Sequence, residues 1–154
     1  RGLQAAFRDE CVTKAYLALM VGEWPEAERL VEGPLRRGPE RDGQRPMVAD
    51  PEGGQAAATR FLTLRMLAGY TLVRAEPRTG RTHQIRAHAR AMGYPLAGDP
   101  MYGEAEANRA LKSLGLDRMF LHSAEINVPH PVSGEAIAVK AALPAELKGF
   151  LERL

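Results

Sequence analysis

The sequence predicts an α+β fold: a mixed, largely antiparallel sheet with flanking helices, in a single domain of 154 residues. Segments of alternating apolar and polar residues recur in hairpin order between turn residues, and only short stretches carry helical periodicity. The chain is long enough to bury one core. Its 45% apolar, 26% charged and 6% aromatic content is that of an ordinary globular protein.

The chain opens Arg1-Gly2-Leu3 without a methionine, and Leu3, Ala6 and Phe7 read as the second half of an amphipathic helix. Helices rarely begin a protein without a cap, so the chain is read as the C-terminal part of a longer one. Residues 11–21 form the first strand, with Leu17, Leu19 and Val21 on one face and Lys14, Tyr16 and Ala18 on the other. Tyr16 is either a half-buried strand tyrosine or a group with chemical work to do. Residues 23–54 are rich in Pro, Gly, Arg and Glu, with short strands at 27–31 and 46–49. Arg36, Arg37, Arg41 and Arg45 there alternate with Glu32, Glu40 and Asp42. That pattern suits a solvated loop or a polyanion contact.

A second strand covers 55–67, Ala68-Gly69 turns the chain, and 70–76 return as the hairpin partner. A short basic helix follows, with Thr82 at the N-cap position and Gly93 as its stop. The compact loop at 94–103 shapes a wall. A helix at 104–115 carries Ala107, Leu111 and Leu114 on one side, and strands at 120–128 and 135–143 flank a turn at 129–134. Pro144 opens a closing helix to residue 154.

Bulk properties exclude several function classes. A formal charge of +2 is too small to announce a nucleic-acid binder, so its placement matters more than its sum. The single cysteine, Cys11, excludes an internal disulfide and a cysteine-cluster metal site, which fits a reducing compartment. No apolar run approaches the ~20 residues of a membrane span, and no signal peptide is evident; cytoplasmic residence is expected. His83 and His88, five residues apart, would lie about 140° apart on a helix and cannot chelate one ion as an i, i+4 pair does. Neither His122 nor His130 completes a metal motif. Phosphate-loop and dinucleotide fingerprints are absent, and Ser113, Ser123 and Ser133 lack a nucleophile elbow.

Charge is concentrated in one place. Between Pro77 and Gly98 lie four arginines, two histidines and no acid. Gln84, Arg86 and Arg90 offer donors suited to phosphate, carboxylate or base edges, on either a polyanion-facing or a merely solvated helix.

The order of residues decides between these readings. Thr79-Gly80-Arg81-Thr82-His83-Gln84-Ile85-Arg86-Ala87-His88, then Gly93-Tyr94-Pro95-Leu96-Ala97-Gly98-Asp99-Pro100-Met101-Tyr102-Gly103, closely resembles the signature of RluA-type pseudouridine synthases. Lys14-Ala15-Tyr16-Leu17-Ala18 is similar to their tyrosine motif, and Leu121-His122-Ser123-Ala124 with Pro129-His130-Pro131 to their C-terminal hairpin.

The resemblance implies isomerisation of uridine to pseudouridine in 23S rRNA or tRNA, by a monomer needing no metal or small-molecule cofactor. It implies that Tyr16 stacks on the flipped base and moves a proton. Arg86 would pair with the catalytic aspartate and hold it ionised, and Ile85 would floor the pocket. Lys14, Thr82, His83, Gln84 and His122 would join the substrate site, with Arg81 and Arg90 on the RNA backbone. Asp99 matches a structural Gly-Asp loop. The family's aspartate lies in an Arg-Leu-Asp-x-x-Thr-Ser-Gly motif upstream of the tyrosine strand, and no such string occurs in these 154 residues. The reading is therefore an incomplete enzyme, inactive by itself, with a non-catalytic RNA-binding module as the alternative.

Overall fold

A computed structural model describes residues 12–40 and 43–154. The expected N-terminal helix, Cys11 and the arginine at position 41 lie outside them. Eight strands and three helices follow in the order β1 (Thr13–Val21), β2 (Glu28–Glu32), β3 (Leu35–Arg37), β4 (Met47–Ala49), β5 (Ala58–Leu67), β6 (Tyr70–Pro77), α1 (Gln84–Ala91), α2 (Ala105–Ser113), β7 (Leu121–Pro129), β8 (Ala136–Lys140) and α3 (Ala145–Arg153).

Six strands form one sheet, ordered β2-β5-β6-β1-β7-β8, and β3 and β4 make a separate two-stranded ribbon. Every pairing among the described strands is antiparallel. The α+β expectation holds. Sequence reading missed β3, because three residues between Pro34 and Gly38 are too short for an alternation to register.

The central strand β1 divides its side chains as expected. Ala18 and Met20 join Phe61, Val73 and Ala75 under Ile85 and Ala89 of α1. Leu19 points the other way, into a second cluster with Phe120, Leu111 of α2, and Leu147 and Phe150 of α3. The sheet thus lies between α1 on one face and α3 on the other. Burying a large apolar side chain stabilises by about 1.5–3 kcal/mol, so these two clusters fix where each helix docks. Trp24 meets Phe61 edge-on at 6.2 Å and donates its backbone N–H to Thr71 Oγ1 at 2.9 Å.

Two irregularities break the alternation. A bulge in β7 opposite Ala15 and Tyr16 puts Ser123 across from Tyr16 but Glu125 across from Ala15. Another between Thr63 and Arg65 leaves Leu64 and Met66 exposed while Leu67 is buried. Leu114, grouped by the sequence with Ala107 and Leu111 on one side of the helix, lies beyond the end of α2 and is 52% exposed.

Candidate active site

Helix α1 begins one residue later than its sequence suggests. Its N-cap is His83, not Thr82, and His83 is the one non-glycine residue at positive φ (50°) among those described. Such a backbone costs on the order of 1–3 kcal/mol unless its surroundings fix it. Here the ring meets Tyr102 edge-on at 5.8 Å, and the Tyr102 hydroxyl donates to His83 Nδ1 at 3.2 Å. That hydroxyl in turn accepts the Met47 N–H at 2.7 Å. Burial, then the neighbouring Arg86 charge, lowers the His83 pKa, with Asp99 opposing; the neutral ring this favours can accept the tyrosine proton.

The other end of α1 stops as expected. Gly93 takes φ 86°, its N–H bonds Arg90 O, and Tyr94 N–H bonds Ala89 O, both at 3.0 Å. This is the paired arrangement that satisfies the last carbonyls of a helix.

Gln84 braces the turn ahead of the helix. Its Oε1 accepts from Thr79 Oγ1 at 2.5 Å and Arg81 N–H at 3.1 Å, while Nε2 donates to Ala58 O and Thr59 Oγ1. Thr59 then donates to His88 Nδ1, and His88 Nε2 donates to Gly33 O, both at 2.9 Å. Gln84, Thr59 and His88 are all buried, so the chain runs through the interior from the 79–84 turn to the strand ribbon. Gln84 borders the cleft, but its amide is fully spent on this brace.

Burial holds the His88 pKa below 6.5, with the Gly33 carbonyl opposing. The sign of the consequence is fixed. As pH falls below 6.5 the unfolded chain takes up this proton before the folded one, so stability falls with pH, by up to about 1.4 kcal/mol per unit for each such group. His83 contributes in the same direction. Urea midpoints of the whole protein are therefore expected to drop between pH 7.5 and 5.5, and less so in His88→Gln; equal drops in both proteins would refute the assignment to His88.

Arg86 is the best-held charge in the site. Nε donates to Asp99 Oδ2 at 2.7 Å and Nη2 to Oδ1 at 2.8 Å. The guanidinium lies 4.8 Å from the centre of the Tyr102 ring. Asp99 also accepts the N–H groups of Met101 and Tyr102 at 2.9 and 3.0 Å. Burial pushes its carboxyl up, but the Arg86 fork and the two amides outweigh burial and hold it below the usual aspartate range. The loop can turn this tightly because Gly98 sits at φ 73°, where a side-chain carbon would lie 2.5 Å from Arg118 O. The expected carboxylate partner of Arg86 was an aspartate upstream of β1. Among the described residues, two of the guanidinium nitrogens are instead committed to Asp99, and no partner is found for Nη1.

These elements enclose an open cleft of about 420 Å³, within the ~300–1,000 Å³ of ligand pockets. Lys14 and Tyr16 come to it from β1, His83, Ile85 and Arg86 from the start of α1, and Gly80 and Arg81 from the turn before it. Met119 and Leu121 add apolar wall. Polar groups thus reach the cleft from both a strand and a helix.

Thr82, Arg90 and His122 do not line this cleft. Thr82 is exposed and borders a neighbouring groove. Arg90 pairs with Glu104 and lines a hollow beside Met101 and Tyr102. His122 lies across from Leu17, on the sheet face opposite Tyr16, with Nε2 bonded to Ala141 O at 3.1 Å. A period-two strand carries adjacent residues to opposite faces, and the β7 register decides which one meets the cleft.

Comparison with known proteins agrees with this arrangement. A sequence model of RNA pseudouridylate synthases matches residues 1–91. The chain is 37% identical over 154 residues to ribosomal large subunit pseudouridine synthase C of Haemophilus influenzae, and 39% identical to its namesake in Pasteurella multocida. All of this chain is covered in both, against 48% and 47% of those proteins, so the chain spans about half the length of these relatives. The solved structure of human RNA pseudouridylate synthase domain containing 1 superposes with a TM-score of 0.79 at 29% identity, covering 93% of this chain and 59% of that one. With the tyrosine strand, the basic helix and the Gly-Asp loop assembled around one cleft, the chain belongs to the RNA pseudouridylate synthase family.

Proposed function

We propose that the whole protein isomerises particular uridines to pseudouridine in structured RNA, 23S rRNA or tRNA, in the cytoplasm and as a monomer. These 154 residues form the C-terminal part of its catalytic domain in this reading. The observation that carries it is the convergence of Lys14, Tyr16, Ile85 and Arg86 on one cleft.

A base inside folded RNA has to leave its stack to be rebuilt, which calls for an aromatic platform, an apolar floor and fixed charge in one recess. Tyr16 supplies the platform and Ile85 the floor. The nucleophile in this reading is an aspartate outside these residues, and Arg86 keeps it ionised. In the isomerisation the N1–C1′ bond breaks, the uracil turns, C5 bonds C1′, and a proton leaves C5 while N1 regains one. Tyr16 is the proton carrier in this scheme. Arg81 contacts the RNA backbone at the rim. The reading calls on no metal or cofactor.

The test is genetic and chemical. Pseudouridines are mapped in the rRNA and tRNA of a strain lacking the gene, with and without the whole protein restored. Loss and recovery of defined sites is expected. RNA binding with no site restored would reduce the protein to a binding module.

A further inference from the structure

A second groove of about 480 Å³ adjoins the cleft, and the two share Gly80 and Arg81 as lining residues. Arg36 and Arg37 of β3 and Gln55 also line it, and no acidic residue is among the described residues lining it.

Its arginines are not loose surface charges. Arg36 is anchored through Nε to Asp50 at 2.6 Å and through Nη1 to Arg37 O at 3.2 Å. Arg81 is anchored through Nε to Ala56 O at 3.1 Å, and among the described residues its terminal nitrogens have no partner. The Arg37 guanidinium has no partner among the described residues. Anchoring through Nε lowers the entropy lost when the outer nitrogens meet an anion.

The strand bearing Arg36 and Arg37 is itself fixed. Leu35 is fully buried beside Met47, Ala87 and Tyr102, and it exchanges backbone hydrogen bonds with Gln55 at 2.9 and 2.8 Å. Gly33, just ahead of the strand, takes the His88 hydrogen bond. The groove wall is thereby tied to α1, the helix that presents Arg86 to the cleft.

We propose that this groove is a backbone track: Arg81, Arg36 and Arg37 bind successive phosphates of the RNA strand on one side of the nucleotide held in the main cleft. The inference rests on the RNA-modifying reading given above and extends it to the polarity of the complex. Two features select this occupant. The groove is continuous with the cleft through Arg81, as one strand passing through both requires. Its charge is carried by arginines, whose planar forks match phosphate.

The track is tested on the whole protein with Arg37→Gln, which removes an exposed side chain that has no partner among the described residues, and with the double variant Arg36→Gln/Arg37→Gln. Affinity for a labelled oligouridylate is measured across salt concentrations. The slope of log affinity against log salt is expected to flatten by about 0.7 for each arginine removed, and Arg37→Lys to recover it in part. With the RNA that the protein modifies, KM rises and kcat is kept. Cutting that RNA back on one side of the target uridine weakens binding to the wild type and leaves the double variant unmoved. Unchanged salt slopes and KM in both variants, beside an active wild type, would overturn the track. Variants that flatten as described, beside a wild type that makes no pseudouridine, would instead remove the isomerase reading and leave the track standing.

Discussion

Asp99→Ala is expected to lower the unfolding free energy of the whole protein by about 3–5 kcal/mol, the cost of stranding one member of a buried ion pair. The side chain of Asp99 is 0% exposed and that of Arg86 12%. Deleting the carboxylate leaves a charged guanidinium in the interior and orphans the amides of Met101 and Tyr102. That is a large part of the ~5–15 kcal/mol by which domains are stable. Removing Glu104, whose pair with Arg90 is about half exposed on both sides, should cost no more than about 1 kcal/mol. Urea unfolding at neutral pH compares the two. A loss at Asp99 no larger than that at Glu104 would mean that Arg86 finds solvent or another partner when released. The same pair sets an acid limit: the carboxyl is held below 3.8, so its contribution is complete above that pH and is lost as pH falls beneath it.

This pair marks where reading the sequence succeeds and where it stops. The two faces of β1 were legible because Leu17, Leu19 and Val21 alternate cleanly with Lys14, Tyr16 and Ala18, and the strand pairs on both sides. Gly93 was legible as a stop because few residues but glycine serve there. The motif order gathered Tyr16, Ile85 and Arg86 at one cleft. What escaped was tertiary. Gln84 looks like a polar donor in the string, and only the approach of β5 shows that its amide also bonds Ala58 O and Thr59 Oγ1. Its neighbour Thr82 looks like a helix cap until His83 takes the left-handed turn in its place. A single extra residue in β7 decides that Ser123, not His122, shares a face with Tyr16. The role of Asp99 had a local signal, an acid in a loop of glycine and proline. Its claim on Arg86, however, depends on how that loop folds back over α1.

Tyr16→Phe is expected to cut kcat for uridine isomerisation by about 10²–10⁴, the usual weight of a positioned proton carrier, while RNA affinity stays near that of the wild type. The ring is half-buried and packs against the cluster of Ala18, Phe61 and Ile85. Phenylalanine therefore keeps its position and its face toward the cleft. The hydroxyl makes no hydrogen bond among the described residues, so removing it leaves no partner unsatisfied and the variant should fold normally. Tyr16→Ala removes the platform as well, and base–aromatic stacking is worth about 1–3 kcal/mol. Its KM should therefore rise roughly 5- to 150-fold on top of the fall in kcat. The two substitutions separate the duties of one side chain, because phenylalanine can stack but cannot carry a proton. If Tyr16→Phe keeps kcat within about threefold while Tyr16→Ala loses affinity, Tyr16 only stacks, and the C5 proton leaves by another group. Lys14 is then the group to replace next, since it reaches the same cleft from the same face of β1.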